Sequence, residues 1–380
     1  MRVFWRFFHV WRAGGNLEIA VVFAAYMAVF LFFQREVFLY AKKFSILDFE
    51  AAWLKSLFIF FPLFLITALR SVDVGIDTAR YSEEYERAKS LEPVIRSTEF
   101  IFSYLLIAFS KLGVSFQGFL FFQSYIYYLA ISSLLVLIPN RSYFTYFLVV
   151  VCFGLFSFGL SGIRQSIAIS LFLFSVFPLL RGRHSIYAVL GLIAFFVHNS
   201  SIIVFLVTFF VSNVFLGFRV FYFGVLLSPL TVLVNETILY AFSFFDIKQL
   251  SNFNNDTDLL LNIKVPMSVW SFVLVMGFVM RYGKNVAIIE AMKSHDNYLY
   301  VRSLCMWGCV FLCALLWMAS SIRLMDRLGL YFVPFVALFS AWILASVRET
   351  LVGWWMRFSF LLMLIFISSF LFRDELFSVF

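Results

Sequence analysis

The sequence has little charge, and it lacks the residue patterns on which most soluble enzymes depend. Only 13% of its 380 residues are charged, and the 21 acidic residues are fewer than the 29 basic ones. A typical soluble domain is about a quarter charged. The four cysteines suggest neither a metal site nor a disulfide framework. No glycine-rich phosphate loop, no metal-ligating cluster and no DxD-type nucleotide-sugar signature in a soluble domain occurs. A nucleotide-driven enzyme or pump is therefore disfavoured, and we expect no metal and no other cofactor.

Long apolar stretches fill most of the chain, which is 63% hydrophobic. About thirteen blocks are long enough to cross or nearly cross a bilayer. They are Leu17–Phe33, Ala51–Leu69, Phe100–Leu112, Phe116–Ile138, Tyr143–Leu160, Ile163–Leu180, Ile186–Val197, Ser201–Val211, Phe215–Val234, Val265–Met280, Leu299–Met318, Leu328–Val347 and Leu351–Phe372. The pattern predicts an all-α polytopic integral membrane protein with about 11–13 transmembrane or re-entrant helices in a single domain, residues 1–380. Asp and Glu are nearly absent from the blocks, which disfavours a carboxylate-driven transporter.

The short basic loops predict the orientation of the helices. Loops rich in Lys and Arg are assigned to the cytoplasm, and the net charge of +8 is attributed to such loops and to an anionic substrate rather than to nucleic acid. Counting crossings then puts Ser161–Gln165, Asn235–Lys264 and Ser320–Arg327 on the opposite face. The count works if His198 lies at a turn between two helices of about 12 residues, each about 18 Å long. The alternative is one long tilted helix, Ser185–Val211.

Arginines at the ends of apolar blocks suggest an anion site. Arg164 and Gln165 lie in the first turn of a predicted helix, where unpaired backbone amides favour anions. Arg323 and Arg327 are four residues apart and share a helix face. The alternatives are that Arg164 extends to the membrane interface, and that Arg323 forms an ion pair with Asp326.

His198 is the only histidine within an apolar stretch. A neutral imidazole can accept the proton of a sugar hydroxyl and so make that hydroxyl a nucleophile. The alternative is a histidine that is buried and hydrogen-bonded for structural reasons alone.

Three motifs, in order along the chain, resemble those of the Wzy/EpsG-like polysaccharide polymerases. The first is Leu69-Arg70 with Gly75-Ile76-Asp77, Tyr81 and Tyr85. The second is Ile163-Arg164-Gln165-Ser166-Ile167-Ala168, followed by a basic turn and Phe196-Val197-His198-Asn199-Ser200. The third is Ile322-Arg323 with Arg327 and Tyr331-Phe332. Together they cover most of the chain.

This resemblance implies a GT-C-like membrane glycosyltransferase that needs no metal. It would join undecaprenyl-diphosphate-linked repeat units into O-antigen or a related surface polysaccharide, on the periplasmic face of the bacterial inner membrane. The loops near 70–98 and 235–264 would then be external. Membrane lipid, a chain-length regulator and a flippase are the further expected partners. The implied catalytic residues are His198, Arg164, Arg323 and Asp77, and the implied substrate-binding residues are Arg70, Tyr81, Gln165 and Arg327. The rival functions are transport of a lipid-linked oligosaccharide and ligation of a glycan to another acceptor.

Overall fold

Every regular element in the described part of the chain is helical, as the sequence predicts. The computed structural model describes residues 49–75, 77–89, 99–138, 142–212, 214–232, 259–282, 298–319 and 324–346. The α-helices are α1 (Phe49–Ala68), α2 (Thr78–Lys89), α3 (Phe100–Lys111), α4 (Phe116–Ser133), α5 (Tyr143–Cys152), α6 (Leu155–Ser161), α7 (Ile163–Leu180), α8 (His184–Val197), α9 (Ser201–Ser212), α10 (Phe218–Leu227), α11 (Leu259–Tyr282), α12 (Tyr298–Ala319), α13 (Leu324–Gly329) and α14 (Val333–Ser346). The predicted blocks Leu17–Phe33 and Leu351–Phe372 lie outside the described residues, as does the predicted loop 235–264 up to the start of α11.

Three helical segments in the described ranges are long and apolar enough to cross a bilayer: Phe116–Leu137, Ile163–Leu180 and Leu299–Ala319. A fourth crossing is possible if α5 and α6, which meet at a bend of 53°, act as one span. Seven shorter apolar segments of 10–17 residues lie in the other helices of these ranges, such as Ile59–Ala68 at the end of α1 and Val265–Gly277 within α11. Phe100–Lys111, His184–Val197 and Ser201–Ser212 correspond to the shortest blocks of the sequence, whereas the other four lie within longer blocks counted among the 11–13 predicted transmembrane or re-entrant helices.

Helix α7 lies at the centre of the bundle and packs against α4, α8 and α9. The spans of α4 and α7 are each 83% buried, whereas the span of α12 is 50% buried. The Phe172 ring of α7 meets the rings of Phe205, Tyr331 and Phe335 with centroids 5.4, 5.7 and 5.9 Å away. Such close packing drives helix association in lipid, where burial from water contributes nothing. These contacts hold the middle of α7 against α9 and α14 and against Tyr331 before α14.

The stretch Tyr143–Leu160, expected as one block, is broken between α5 and α6. Gly154 has a φ of +83°, which residues with a side chain rarely adopt. The Leu155 carbonyl beside the break accepts a hydrogen bond from the Tyr127 hydroxyl at 2.8 Å. The break turns α6 so that it ends directly before α7, with one residue between them.

Helices α8 and α9 form an antiparallel hairpin that turns at His198. Near the other end of the hairpin, the Tyr187 hydroxyl donates to the Phe205 carbonyl at 2.7 Å, and the Tyr187 ring stacks on Phe209. The helices have 14 and 12 residues, or about 21 and 18 Å at 1.5 Å per residue. Neither alone spans a hydrocarbon core of about 30 Å. The two short helices are thus confirmed, and the single helix Ser185–Val211 is wrong.

Candidate active site

Four side chains from four parts of the chain meet at the end of the bundle where α7 begins. Tyr81 comes from α2, Glu99 from the residue before α3, Arg164 from the first turn of α7, and His198 from the residue after α8. Because α7 and α8 are joined by a tight turn and pack side by side, the end of α8 returns to the start of α7. This topology brings Arg164 and His198 together, as the crossing count predicts.

Arg164 is held on three sides. Its Nη1 donates to Glu99 Oε2 in a close ion pair, and its Nε donates to the Tyr81 hydroxyl at 2.6 Å. The guanidinium carbon lies 5.4 Å from the centroid of the Tyr81 ring and 5.9 Å from that of Phe102. Its side chain is only 15% exposed. The guanidinium thus bonds to protein groups, and its Nη2 forms none of the hydrogen bonds that link the described residues.

Both carboxylate oxygens of Glu99 are used. Oε2 pairs with Arg164, while Oε1 lies 3.2 Å from His198 Nδ1 and accepts from the Asn199 backbone N–H at 3.5 Å. Burial raises the pKa of Glu99, but the hydrogen bond from His198 and the charge of Arg164 outweigh it and leave the pKa below its ordinary value. Glu99 also precedes the positive end of α3, which favours its anion. It is therefore an ionised carboxylate that links Arg164 to His198.

His198 has one nitrogen engaged and the other free. With Nδ1 bonded to Glu99, a neutral imidazole carries its proton on Nδ1 and has the lone pair on Nε2. Nε2 is buried and has no hydrogen-bond partner among the described residues. A buried polar atom without a partner is costly, and its occurrence calls for an explanation such as a catalytic role. The geometry suits a base that receives a proton at Nε2.

The turn that carries Asp77 docks against the end of α6. The Thr78 hydroxyl donates to the Leu160 carbonyl at 3.2 Å, and Gly75, with a φ of +90°, lies so close that a Cβ atom would overlap this carbonyl. The turn thereby places α2, and with it Tyr81, over Arg164. Burial raises the pKa of Tyr81 although the nearby arginine lowers it, so its hydroxyl stays protonated at neutral pH. The Asp77 carboxylate forms none of the ion pairs found in the described residues.

Gln165 connects the start of α7 to α13. Its Nε2 donates to the Arg327 carbonyl at 2.6 Å, across 162 positions of sequence. The Arg327 side chain is exposed. This bond brings a second helix with an arginine to the start of α7. The crossing count, which puts Ser161–Gln165 and Ser320–Arg327 on the same side of the membrane, predicts that the two segments lie at the same end of the bundle. Arg323 lies outside the described residues, and so does the side chain of Asp326.

Arg70 differs from the other predicted substrate-binding residues because its side chain is buried in the bundle, with 1% exposure. Burial lowers its pKa to about 10, so the guanidinium remains charged at neutral pH. It bonds to the Thr67 carbonyl and to Gln123, and to none of the four residues that meet at Arg164.

Sequence reasoning missed Glu99. Glu99 lies between the polar stretch that ends at Thr98 and the apolar block that begins at Phe100, and it was assigned to neither. One signal was available. Glu99, like Arg164 and His198, stands directly at the end of an apolar block, where a charged side chain can reach a polar site between helices.

Comparison with known proteins agrees with the motifs. No curated protein and no solved structure matches the chain. A family model, described as the EpsG family, matches residues 53–378 and so includes every residue of the site. This match covers most of the chain and confirms the resemblance that the three motifs indicate. The chain belongs to the EpsG family.

Proposed function

We propose that the protein is a membrane glycosyltransferase that lengthens a polysaccharide by joining lipid-linked repeat units. Membership of the EpsG family indicates a membrane protein of the polysaccharide-polymerase type. The observation that carries the proposed chemistry is His198, whose Nδ1 is bonded to Glu99 while its buried Nε2 is without a partner. The donor would be a glycan on undecaprenyl diphosphate, and the acceptor a sugar hydroxyl of the next lipid-linked unit.

The reaction needs one proton acceptor and one site for a departing diphosphate. The acceptor hydroxyl gives its proton to His198 Nε2 while its oxygen bonds to the anomeric carbon of the donor. The bond between that carbon and the diphosphate oxygen breaks, and the lipid diphosphate leaves with the electron pair. Nη2 of Arg164 and the exposed guanidinium of Arg327 are suited to its negative charge, since hydrogen bonds from arginine to phosphate oxygens are charge-assisted and strong. Arg323 would add to this site.

A general base of this kind typically contributes about 10²–10⁴-fold to the rate. We therefore expect His198→Gln to lower chain growth by at least about 100-fold, since glutamine keeps a polar side chain but cannot take up a proton. The assay uses purified protein in liposomes with short undecaprenyl-diphosphate-linked repeat units, and the product lengths are read on gels. His184→Gln is the matched control, because His184 begins the same helix at the opposite end of the bundle. An unchanged rate in His198→Gln would exclude the proton transfer.

The same liposomes separate the rival functions. Products that grow over many steps support a polymerase. Substrate that moves between leaflets without growing would identify a transporter, and a single addition to a different acceptor would identify a ligase. A GT-C-like architecture, the bacterial inner membrane, and partnership with a chain-length regulator and a flippase belong to the same proposal.

A periplasmic site can be tested by labelling introduced cysteines in intact cells. Val72 lies exposed on the turn that carries Asp77, and Ser185 lies exposed at the far end of α7 and α8. In a Cys152→Ser background, which removes the one half-buried native thiol in the described ranges, a membrane-impermeant reagent should label Val72→Cys and spare Ser185→Cys. The reverse pattern would put the site on the cytoplasmic face.

A further inference from the structure

Arg70 is a buried cation that no carboxylate of the described residues neutralises. Its Nη1 donates to the Thr67 carbonyl at 2.8 Å, and its Nη2 reaches Gln123 Oε1 at 3.5 Å. Its Nε is buried and has no hydrogen-bond partner in the described part of the chain. An unpaired buried charge opposes folding, and a well-packed apolar residue of similar size is often at least as stable. Stability alone therefore gives no reason to have arginine at this position.

A chain of hydrogen bonds leads from Arg70 to the candidate active site. The Gln123 side chain accepts from Arg70 with its oxygen and donates from its Nε2 to the Ser166 hydroxyl at 2.6 Å. Ser166 donates to the carbonyl of Ile163 at 2.8 Å. Ser166 lies two residues after Arg164, so the buried charge stands two hydrogen bonds from the first turns of α7.

The other described groups that form hydrogen bonds around Arg70 are neutral. The Thr67 hydroxyl bonds to the Tyr128 hydroxyl at 2.9 Å, and the Gln117 amide donates to the carbonyl of Ala68. Charges interact over longer distances in a dry, low-dielectric interior than in water. An anion at the positive end of α7 would therefore be stabilised by the charge of Arg70, and the charge of Arg70 would be compensated by the anion.

We propose that Arg70 is a positioning residue whose unneutralised charge, acting through Gln123 and Ser166, prepares the start of α7 for the anionic diphosphate of the substrate. It does this without touching the substrate. The inference rests on the proposed function, because that function supplies the diphosphate.

The test supplies Arg70 with the counter-ion that it lacks. Gln123→Glu is nearly isosteric and replaces the whole amide with a carboxylate, so the pair with Arg70 becomes neutral. The Ser166 hydroxyl then has to donate to the carboxylate instead of accepting from the Gln123 amide. We expect the unfolding temperature of this variant to stay equal to that of the wild type or to rise. We expect its affinity for undecaprenyl diphosphate, measured from the shift of unfolding temperature with added lipid, to fall about tenfold. KM should rise by a similar factor and kcat should change little.

Substitutions of the arginine complete the experiment. Arg70→Met removes the charge and should weaken binding as Gln123→Glu does, whereas Arg70→Lys keeps the charge and should retain most of the affinity. Arg87→Met is the matched control, because Arg87 is an exposed arginine on α2 that pairs with Glu83 at 3.9 Å. Its loss should leave binding unchanged.

The outcomes are distinct. If Gln123→Glu binds the lipid as tightly as the wild type, the proposal for Arg70 is wrong while the proposed function stands. If Gln123→Glu loses both affinity and thermal stability, the network is structural and the proposal is overturned. If the wild type itself neither binds the lipid nor extends the glycan, the proposed function fails first.

Discussion

Replacement of Glu99 by glutamine is the most decisive single test of the site. The substitution preserves the shape of the side chain but removes its charge and turns one acceptor oxygen into an N–H donor. That donor would face Arg164 or His198, where the wild type has an acceptor. Arg164, with a side chain only 15% exposed, would then be a buried charge without a counter-ion.

The size of the effect follows from these contacts. A hydrogen bond to a charged group contributes about 1.5–3 kcal/mol, and removal of one partner from a fully buried ion pair costs about 3–5 kcal/mol. Since both side chains retain slight exposure, we expect Glu99→Gln to lower the free energy of unfolding by about 2–4 kcal/mol. The measurement is equilibrium unfolding in mixed micelles, followed by tryptophan fluorescence.

A double-mutant cycle separates the ion pair from general damage. Arg164→Met removes the other charge, so the double variant has no unpaired charge at this site. We expect it to be more stable than the sum of the single effects predicts, by about 1.5–3 kcal/mol, because residues in direct contact are not additive. Strict additivity within about 0.5 kcal/mol would refute the reasoning, and the close contact between the two side chains would then contribute nothing.

Four further predictions follow from the same geometry. The pKa of Glu99 is lower in the folded state than in the unfolded state. The stability that ionised Glu99 contributes is therefore complete above its unfolded pKa of about 4.3 and is lost as the pH falls through the folded pKa. Acid unfolding of the wild type should show this loss of stability, whereas acid unfolding of Glu99→Gln should lack this contribution. Tyr81→Phe removes a hydrogen bond to Arg164 and should slow chain growth about tenfold in the liposome assay. Gly75→Ala should lower the free energy of unfolding by more than about 1–3 kcal/mol, and by more than Gly113→Ala, where a Cβ meets open space. Gln165→Met should lower it by about 1 kcal/mol, with a matching loss of activity if α13 carries part of the site.

Sequence reasoning succeeded where charge interrupts an apolar pattern. Helix α7 begins at Ile163 and ends at Leu180, as the apolar block predicts. The break at His198 was predicted because an odd number of crossings was needed between two loops of opposite assignment. In both places a polar residue ends a run of apolar ones, so the order of residues along the chain is sufficient to predict where the helix ends.

The sequence failed where the determining contact is between distant helices. The break at Gly154 lies inside an uninterrupted apolar run, and no polar residue marks it. Glu99 is important only because α3 packs beside α2 and α8, and a twelve-residue helix of uncertain orientation does not predict that packing. The burial of Arg70 likewise depends on α4, which brings Gln123 to it across 53 positions.

The charge balance of the site suits catalysis better than tight binding. Before reaction Arg164 and Glu99 neutralise each other, and with a neutral His198 the three groups have no net charge. When the imidazole takes the proton of the acceptor, the same three groups become positive by one unit. In the proposed reaction this happens as the departing diphosphate gains negative charge, so the attraction is stronger in the transition state than in the ground state. Only interactions with that difference accelerate a reaction. A site made of unpaired arginines alone would attract substrate and product equally. With Glu99 present, the net positive charge of the site appears only when His198 is protonated, so the additional attraction for the diphosphate acts in the transition state.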